Sequence, residues 1–156
     1  MKAIDRHVLT IDAPAERVFA FITDPRTASL RMPVVVHDHY EARERLQAGD
    51  IRESCYTLLG FHWTERRWVV WINPAAMRVM WQGNSALTTA EEWRVEPLES
   101  DRCRLVVERE LGEVRSLWVA LLRTFLEPLM RRLIVSRMEM VRRAVVSGWR
   151  QEPVAA

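Results

Sequence analysis

The stretch SLWVALLRTFLEPLMRRLIVSRMEMVRRAVVS, residues 116–147, decides the fold of this chain. Residues that are apolar or small recur in it at steps of three or four, which is typical of a helix with one apolar face. They are Leu122, Phe125, Leu129, Leu133, Ser136, Met140 and Ala144. Pro128 lies inside this pattern, and proline removes a helical hydrogen bond. The sequence therefore predicts a short helix over residues 116–126 and then a main helix of about 20 residues.

The residues before this helix predict a sheet. Between residues 34 and 114 the hydrophobic pattern has a period of two, which is typical of strands. Candidate strands are 34–46, 51–58, 62–72, 77–82, 88–96 and 103–111, after a first strand at 7–11. Short turn signals separate them and indicate an antiparallel meander. Pro14 suits the first turn of a helix, and residues 27–32 predict a second short one. The expected fold class is α+β: a curved seven-stranded antiparallel sheet around a long C-terminal helix, with two short helices after strand 1.

Length and composition limit the class of protein. The 156 residues predict one ligand-binding domain over residues 1–151 and a frayed tail at 152–156. A net charge of +2 is too small and dispersed to indicate nucleic-acid binding. The two cysteines have no metal-ligand spacing, and the sequence contains neither a signal-peptide pattern nor a long apolar run. We therefore expect a cytoplasmic protein.

The turn positions predict which side chains share the face under the helix. A last hairpin centred near Ser100 places Trp93 opposite Val107 and Glu91 opposite Arg109. The stretch 68–71 is apolar on both faces, so a bulge there would exchange the faces of one strand.

A hairpin centred at Gly60 predicts a second group of inward side chains. In that register Thr57 lies opposite Trp63, Cys55 opposite Glu65 and Glu53 opposite Arg67, with Tyr40 opposite Thr57. One wall of the sheet would then hold Tyr40, Glu53, Thr57, Trp63 and Arg67.

Several stretches resemble the START-like helix-grip superfamily (SRPBCC), and within it the polyketide cyclase/dehydrase group. They are Ile11-Asp12-Ala13-Pro14-Ala15-Glu16-Arg17-Val18, followed by Phe21 and Asp24-Pro25, and the C-terminal helix with its Leu-Leu-Arg and Arg-Arg motifs. Closer similarity is to aromatic polyketide aromatase/cyclases. There, a pocket tyrosine before a strand and an arginine four residues after an aromatic are the usual functional residues. The matching stretches are Tyr40-Glu41-Ala42-Arg43-Glu44-Arg45-Leu46 and Phe61-His62-Trp63-Thr64-Glu65-Arg66-Arg67.

The resemblance implies catalytic roles for Tyr40 and for Arg67, with Arg66 as the alternative arginine. An arginine facing a dry cavity can hold an enolate oxygen, and a phenol can relay a proton. Structural pairing of Arg67 with Glu53 stays open as the other interpretation. Predicted ligand contacts are Glu53, Thr57, Trp63, Trp71, Trp81, Glu91, Trp93, Arg109, Phe125 and Leu129.

Three other features of the sequence each leave alternatives open. Trp63, Trp68, Trp71, Trp81 and Trp93 predict either an aromatic-lined pocket or a plain core. His37 and His39 share a strand face, but without a third ligand they favour a solvated surface over a metal site. The apolar segment 117–126 fits a cavity lid, a dimer contact or a membrane-surface helix, with the first two favoured.

Two functions follow. The first is a cyclase or dehydratase that folds a flexible aromatic precursor in a cavity between the sheet and the C-terminal helix. The second is a non-catalytic carrier of a lipid, quinone or isoprenoid. Both predict a hydrophobic small-molecule ligand and neither a metal nor another cofactor. They leave open a homodimer and a transient contact with a membrane or a carrier protein.

Overall fold

The computed structural model describes residues 4–27, 35–40, 45–58, 61–84, 88–112 and 117–150. The strands are β1 Ile4–Ile11, β2 Val35–Tyr40, β3 Ile51–Leu58, β4 Phe61–Asn73, β5 Arg78–Gly83, β6 Thr88–Glu99 and β7 Arg102–Leu111. The α-helices are α1 Ala15–Thr23 and α2 Leu117–Val146, and Pro25–Thr27 forms a 3-10 turn.

All strands pair antiparallel in the order β1-β7-β6-β5-β4-β3-β2. Strands β2 to β7 follow each other as a meander, and β1 is added beside β7 at one edge. One face of the sheet, here called the concave face, packs against α1 and α2. The prediction of an α+β fold with an antiparallel sheet around a C-terminal helix is confirmed.

Helix α1 forms where the sequence changes from a strand period to a helical one. Pro14 precedes its first residue, and Val18, Phe21 and Ile22 turn its apolar face into the core. Asp24 ends the helix and is fixed by Arg26, whose Nη2 lies 2.7 Å from Oδ2. The second short helix predicted over 27–32 falls mostly outside the described residues, which hold a single 3-10 turn here.

The helix break that the sequence predicted at Pro128 is absent from α2. The structure has one helix of 30 residues, with the proline inside it. We attribute its continuity to ion pairs on both sides of the proline: Glu127 Oε1 accepts from Arg109 Nη2 at 2.8 Å, and Arg131 Nη2 lies 3.7 Å from Asp5 Oδ1. These contacts offset the lost hydrogen bond.

The buried stripe of α2 also differs from the predicted one. Phe125, expected to face the sheet, is 77% exposed, and Leu129 is half-buried. Among the helix residues whose side chains the structure describes, those buried against the sheet are Ile134, Arg137, Met138, Val141 and Val145. The prediction failed because apolar residues occupy both sides of this helix, and because the true stripe contains an arginine.

The β6–β7 register is as predicted, with Trp93 opposite Val107 and Glu91 opposite Arg109. The β3–β4 register differs by one residue. Glu53 lies opposite Arg66, Thr57 opposite His62 and Cys55 opposite Thr64. A shift of one residue exchanges the two faces of a pair, so the predicted pairs Glu53–Arg67, Thr57–Trp63 and Cys55–Glu65 are wrong.

Two further features of the strand pairing determine which residues share the face of the site. Tyr40 lies opposite Arg52, so its predicted pairing with Thr57 is also wrong. The expected bulge in β4 is present, because the pairing with β5 shifts between Val69 and Trp71. Trp71 therefore shares a ladder position with Met80 on the outer face, where Arg78 lies over its ring at 5.5 Å.

Candidate functional site

The concave face has two halves of different chemistry. The apolar half lies against α1 and the C-terminal part of α2, and its core is built from Phe21, Ile22, Val95, Leu105, Met138, Val141 and Val145. The charged half lies against α2 from Glu127 to Arg137 and is built from Asp5, Arg52, Glu65, Arg67, Glu91, Arg109, Glu127 and Arg137.

Glu91 is the centre of the charged half and is 2% exposed. Its Oε2 accepts from Arg67 Nη1 at 3.1 Å, and its Oε1 lies 3.1 Å from Arg137 Nη2. Trp93 Nε1 donates to the same Oε1 at 2.5 Å, and the Arg137 guanidinium stacks over the Trp93 ring at 4.9 Å. The strand thus holds a carboxylate and an indole on one face, and α2 supplies the cation between them.

The charge of Glu91 is strongly favoured in the folded protein. Burial alone would raise the pKa of this carboxyl, but the nearby guanidinium groups of Arg137 and Arg67 and the Trp93 hydrogen bond outweigh it. The pKa of Glu91 therefore lies well below its ordinary value. Glu91 is a permanent anion at neutral pH.

Arg109 organises a second group on β1, β7 and α2. It is 1% exposed, and its Nη2 donates to Asp5 Oδ2 at 2.6 Å and to Glu127 Oε1 at 2.8 Å. Asp5 Oδ2 also lies 2.9 Å from His7 Nε2. Burial acts to raise the pKa of Asp5, but hydrogen bonds from Arg109 and His7 bring it below the ordinary value.

A row of facing residues crosses strands β2, β3, β4 and β5 beside Glu91. Tyr40 lies opposite Arg52, Arg52 opposite Arg67, and Arg67 opposite Gly83. Arg67 is buried, and its Nη2 lies 2.9 Å from Glu65 Oε2. Gly83 makes room for it, since a Cβ there would lie 3.2 Å from Arg67 Cγ. Of the two candidate arginines, Arg67 faces inward, and Arg66 is exposed beside Glu53 at 3.1 Å.

The predicted ligand-contact residues divide between the two faces of the sheet. Trp81, Glu91, Trp93 and Arg109 lie buried on the concave face. Glu53 and Trp71 lie on the outer face, and Phe125 points away from the sheet, so their predicted inward positions are wrong. The side chains of Tyr40, Thr57 and Trp63 lie outside the described part of the structure.

A cavity of about 350 Å³ lies at the other end of the sheet, against α1 rather than α2. Phe19 and Thr23 of α1, Leu46 before β3, and Ile72 and Pro74 at the end of β4 line it. Trp81 and Trp93 lie within the core cluster, and Trp71 lies outside it. In the described residues the predicted tryptophan group is therefore split between the two faces of the sheet.

Residues 5–146 match the family model described as "Polyketide cyclase / dehydrase and lipid transport". The chain belongs to this family. The match spans both helices and the strands that carry the charged half, and it confirms the resemblance to the helix-grip superfamily. A comparison with curated protein sequences gives no significant match.

Solved structures share the fold of this polyketide cyclase/dehydrase family member. The Zhui aromatase/cyclase from Streptomyces sp. R1128 is 19% identical, with 95% of this chain and 99% of that chain covered and a TM-score of 0.75. TTHA0849 from Thermus thermophilus is 19% identical, with 93% and 98% covered and a TM-score of 0.73. Norcoclaurine synthase from Thalictrum flavum is 12% identical, with 97% and 90% covered and a TM-score of 0.73. At these identities the likeness concerns the fold.

Sequence reasoning missed several members of the charged half. Arg137 was hidden because it interrupts an apolar helix face, although its spacing of three from Ile134 and four from Val141 marks that face. Arg52 alternates with outward residues on β3, and the correct hairpin centre would have placed it inward. Asp5 was missed because β1 begins at Ile4, earlier than residue 7.

Among the described side chains there is no group of three or more His, Cys, Asp or Glu residues placed to hold a metal ion. The side chains of His37 and His39 fall outside that set. No helix in the described part of the chain is long and apolar enough to cross a membrane.

Proposed function

We propose that this family member binds an apolar aromatic small molecule between the sheet and α2 and guides its cyclisation or dehydration. The observation that carries the proposal is the row of Tyr40, Arg52 and Arg67 beside buried Glu91. Facing positions on neighbouring strands share a face of the sheet. A phenol and two guanidinium groups are thereby assigned to one region.

The chemistry of this row suits a reaction through an enolate. A buried guanidinium stays charged and stabilises a developing oxyanion in a site of low dielectric. A phenol can give or accept the proton that moves during ring closure or loss of water. Restricting a flexible precursor to one folded shape lowers the barrier further through orientation.

Tyr40→Phe tests the catalytic part, because it removes one hydroxyl and no charge. With a linear aromatic poly-β-ketone as substrate, we expect cyclised product to form about 100-fold more slowly. The dissociation constant, measured by tryptophan fluorescence, should stay the same. An unchanged rate would contradict a role for this phenol.

Arg67→Met tests the cation, with Arg66→Met as the matched control on the other face. We expect the rate with Arg67→Met to fall about 100-fold, as for the loss of one oxyanion donor, and that with Arg66→Met to stay close to wild type. Both rates are to be measured where circular dichroism shows the variants folded, because Arg67→Met also removes a partner of Glu65 and Glu91. A larger effect of Arg66→Met would overturn the assignment.

A non-catalytic carrier is the second candidate. One observation favours it: Arg67 is already paired with two buried carboxylates, which suits a structural role. Saturable binding of apolar ligands, with no product from the wild type, would establish the carrier. Product formation by the wild type that Tyr40→Phe and Arg67→Met abolish would exclude it.

A further inference from the structure

Two buried arginines in the charged half have N–H groups without an acceptor. Arg109 donates through Nη2, but its Nε and Nη1 have no hydrogen-bond partner among the described residues. A guanidinium has five N–H groups, so three of those on Arg109 are unpaired. The Nε of Arg137 also has no hydrogen-bond partner among the described residues, although both of its Nη atoms contact Glu91.

A buried hydroxyl on the same face adds to these donors. Thr88 lies opposite Leu111, near Arg109 on β7, and its Oγ1 has no hydrogen-bond partner in the described structure. Thr88, Arg109 and Arg137 are all more than nine-tenths buried. An unsatisfied buried polar group costs about 1–3 kcal/mol. Several in one region indicate that something else supplies the acceptors.

The charge of these donors indicates the sign of that acceptor. Within the charged half, arginines 52, 67, 109 and 137 balance the carboxylates of residues 5, 65, 91 and 127, and Arg131, whose side chain is 58% exposed, adds a cation at the edge. The unpaired N–H groups belong to the cations Arg109 and Arg137. Water can accept from them, but hydrogen bonds from a guanidinium to a carboxylate are shorter and stronger.

We infer that the ligand is a monoanion whose oxyanion is held by Arg109 and Thr88, with Arg137 beside it. This inference rests on the proposed function and names its ligand class: an apolar aromatic body that carries one carboxylate. Arg109 is itself fixed by Asp5 and Glu127, so its free N–H groups keep their direction before the ligand arrives. Such preorganisation lowers the entropy lost on binding.

The experiment compares 2-naphthoate with 2-naphthamide, which has the same ring system and no charge. Both are titrated at pH 7 and fixed ionic strength, with tryptophan fluorescence as the readout. Hydrogen bonds to a charged group predict about tenfold tighter binding of the acid. Equal affinities would overturn the inference and leave the proposed function standing. No saturable binding of either probe would contradict the proposed function itself.

Thr88→Val is the decisive variant, because it keeps the side-chain shape and removes an unpaired hydroxyl. We expect it to lower the affinity for 2-naphthoate several-fold, to leave 2-naphthamide unchanged, and to keep or raise Tm without ligand. Thr89→Val is the matched control, since Thr89 Oγ1 donates to the Glu110 carbonyl oxygen at 3.3 Å. It should not alter the preference for the acid.

Arg109→Met should abolish the preference where it folds. A lower Tm for Thr88→Val together with an unchanged preference would show that the hydroxyl has a structural partner, and would overturn the site. Retention of the preference in both Thr88→Val and Arg109→Met would likewise place the anion elsewhere.

Discussion

The two halves of the concave face differ in what a buried side chain must find there. In the apolar half, Leu105 and Val141 need only volume, and any close neighbour satisfies them. In the charged half, Glu91 needs Arg67 and Arg137 at hydrogen-bond distance. Dispersion forces have no preferred direction, whereas a buried charge is stable only with specific partners. The apolar half therefore tolerates many sequences, and the charged half specifies positions to which a ligand can be fitted.

The largest expected effect comes from Glu91→Gln, which changes charge without changing volume. It leaves Arg67 and Arg137 in the interior with less compensation, so the free energy of unfolding should fall by about 3–5 kcal/mol. Urea unfolding at pH 7 measures it. Glu53→Gln is the control, because the exposed pair with Arg66 should contribute about 0–1 kcal/mol. Similar losses in both variants would remove the distinction between inner and outer pairs.

Met138→Ala probes the apolar half by removing volume without charge. Met138 is buried in the core cluster, and such a truncation costs about 2–5 kcal/mol through lost transfer energy and the remaining cavity. The same urea experiment measures it. The loss should be the same at pH 7 and pH 3. A loss that depends on pH would show that the two halves are coupled.

Low pH should weaken the ion pairs of the charged half and leave the packing of the apolar half unchanged. The pKa of Glu91 is lower in the folded protein than its ordinary value of 4.5, so its stabilisation is complete above that pH and is lost as the pH falls toward the folded pKa. The difference in unfolding free energy between wild type and Glu91→Gln should therefore shrink below pH 4.5, by up to about 1.4 kcal/mol per pH unit. Urea unfolding at pH 7, 4 and 3 checks this. A constant difference would mean that Glu91 has the same pKa folded and unfolded.

Gly83→Ala should give the smallest effect, on the position of Arg67. The added Cβ would lie 3.2 Å from Arg67 Cγ, which requires a small displacement of that side chain. We expect a loss of about 1 kcal/mol, at the lower end for overpacking. An increase in Tm would show that replacing glycine by alanine stabilises the strand more than the displacement of Arg67 destabilises the protein.

The hairpins show how much the sequence could predict. The β6–β7 register was found because Ser100 and Asp101 mark the turn and the flanking residues alternate strictly. The β3–β4 hairpin was centred on Gly60, whereas its pairs centre between Leu59 and Gly60, and that half-step exchanged the faces of Glu53 and Ser54.

The charged half was predicted only in part. Glu91 and Arg109 were found because both lie on the well-marked hairpin. Arg137 was not, because periodicity searches weigh apolar residues and treat a charge as solvent-facing. Its burial depends on Glu91, 46 positions earlier, and local sequence does not contain that information.

The position of β1 beside β7 has a consequence for synthesis of the chain. Asp5 and Arg109 are 104 positions apart, yet they form a 2.6 Å contact between neighbouring strands. Closing so large a loop is slow and entropically unfavourable until both ends exist. A nascent chain therefore keeps its first strand unpaired until β7 leaves the ribosome. Its exposed backbone edge is open to association with other chains during that interval.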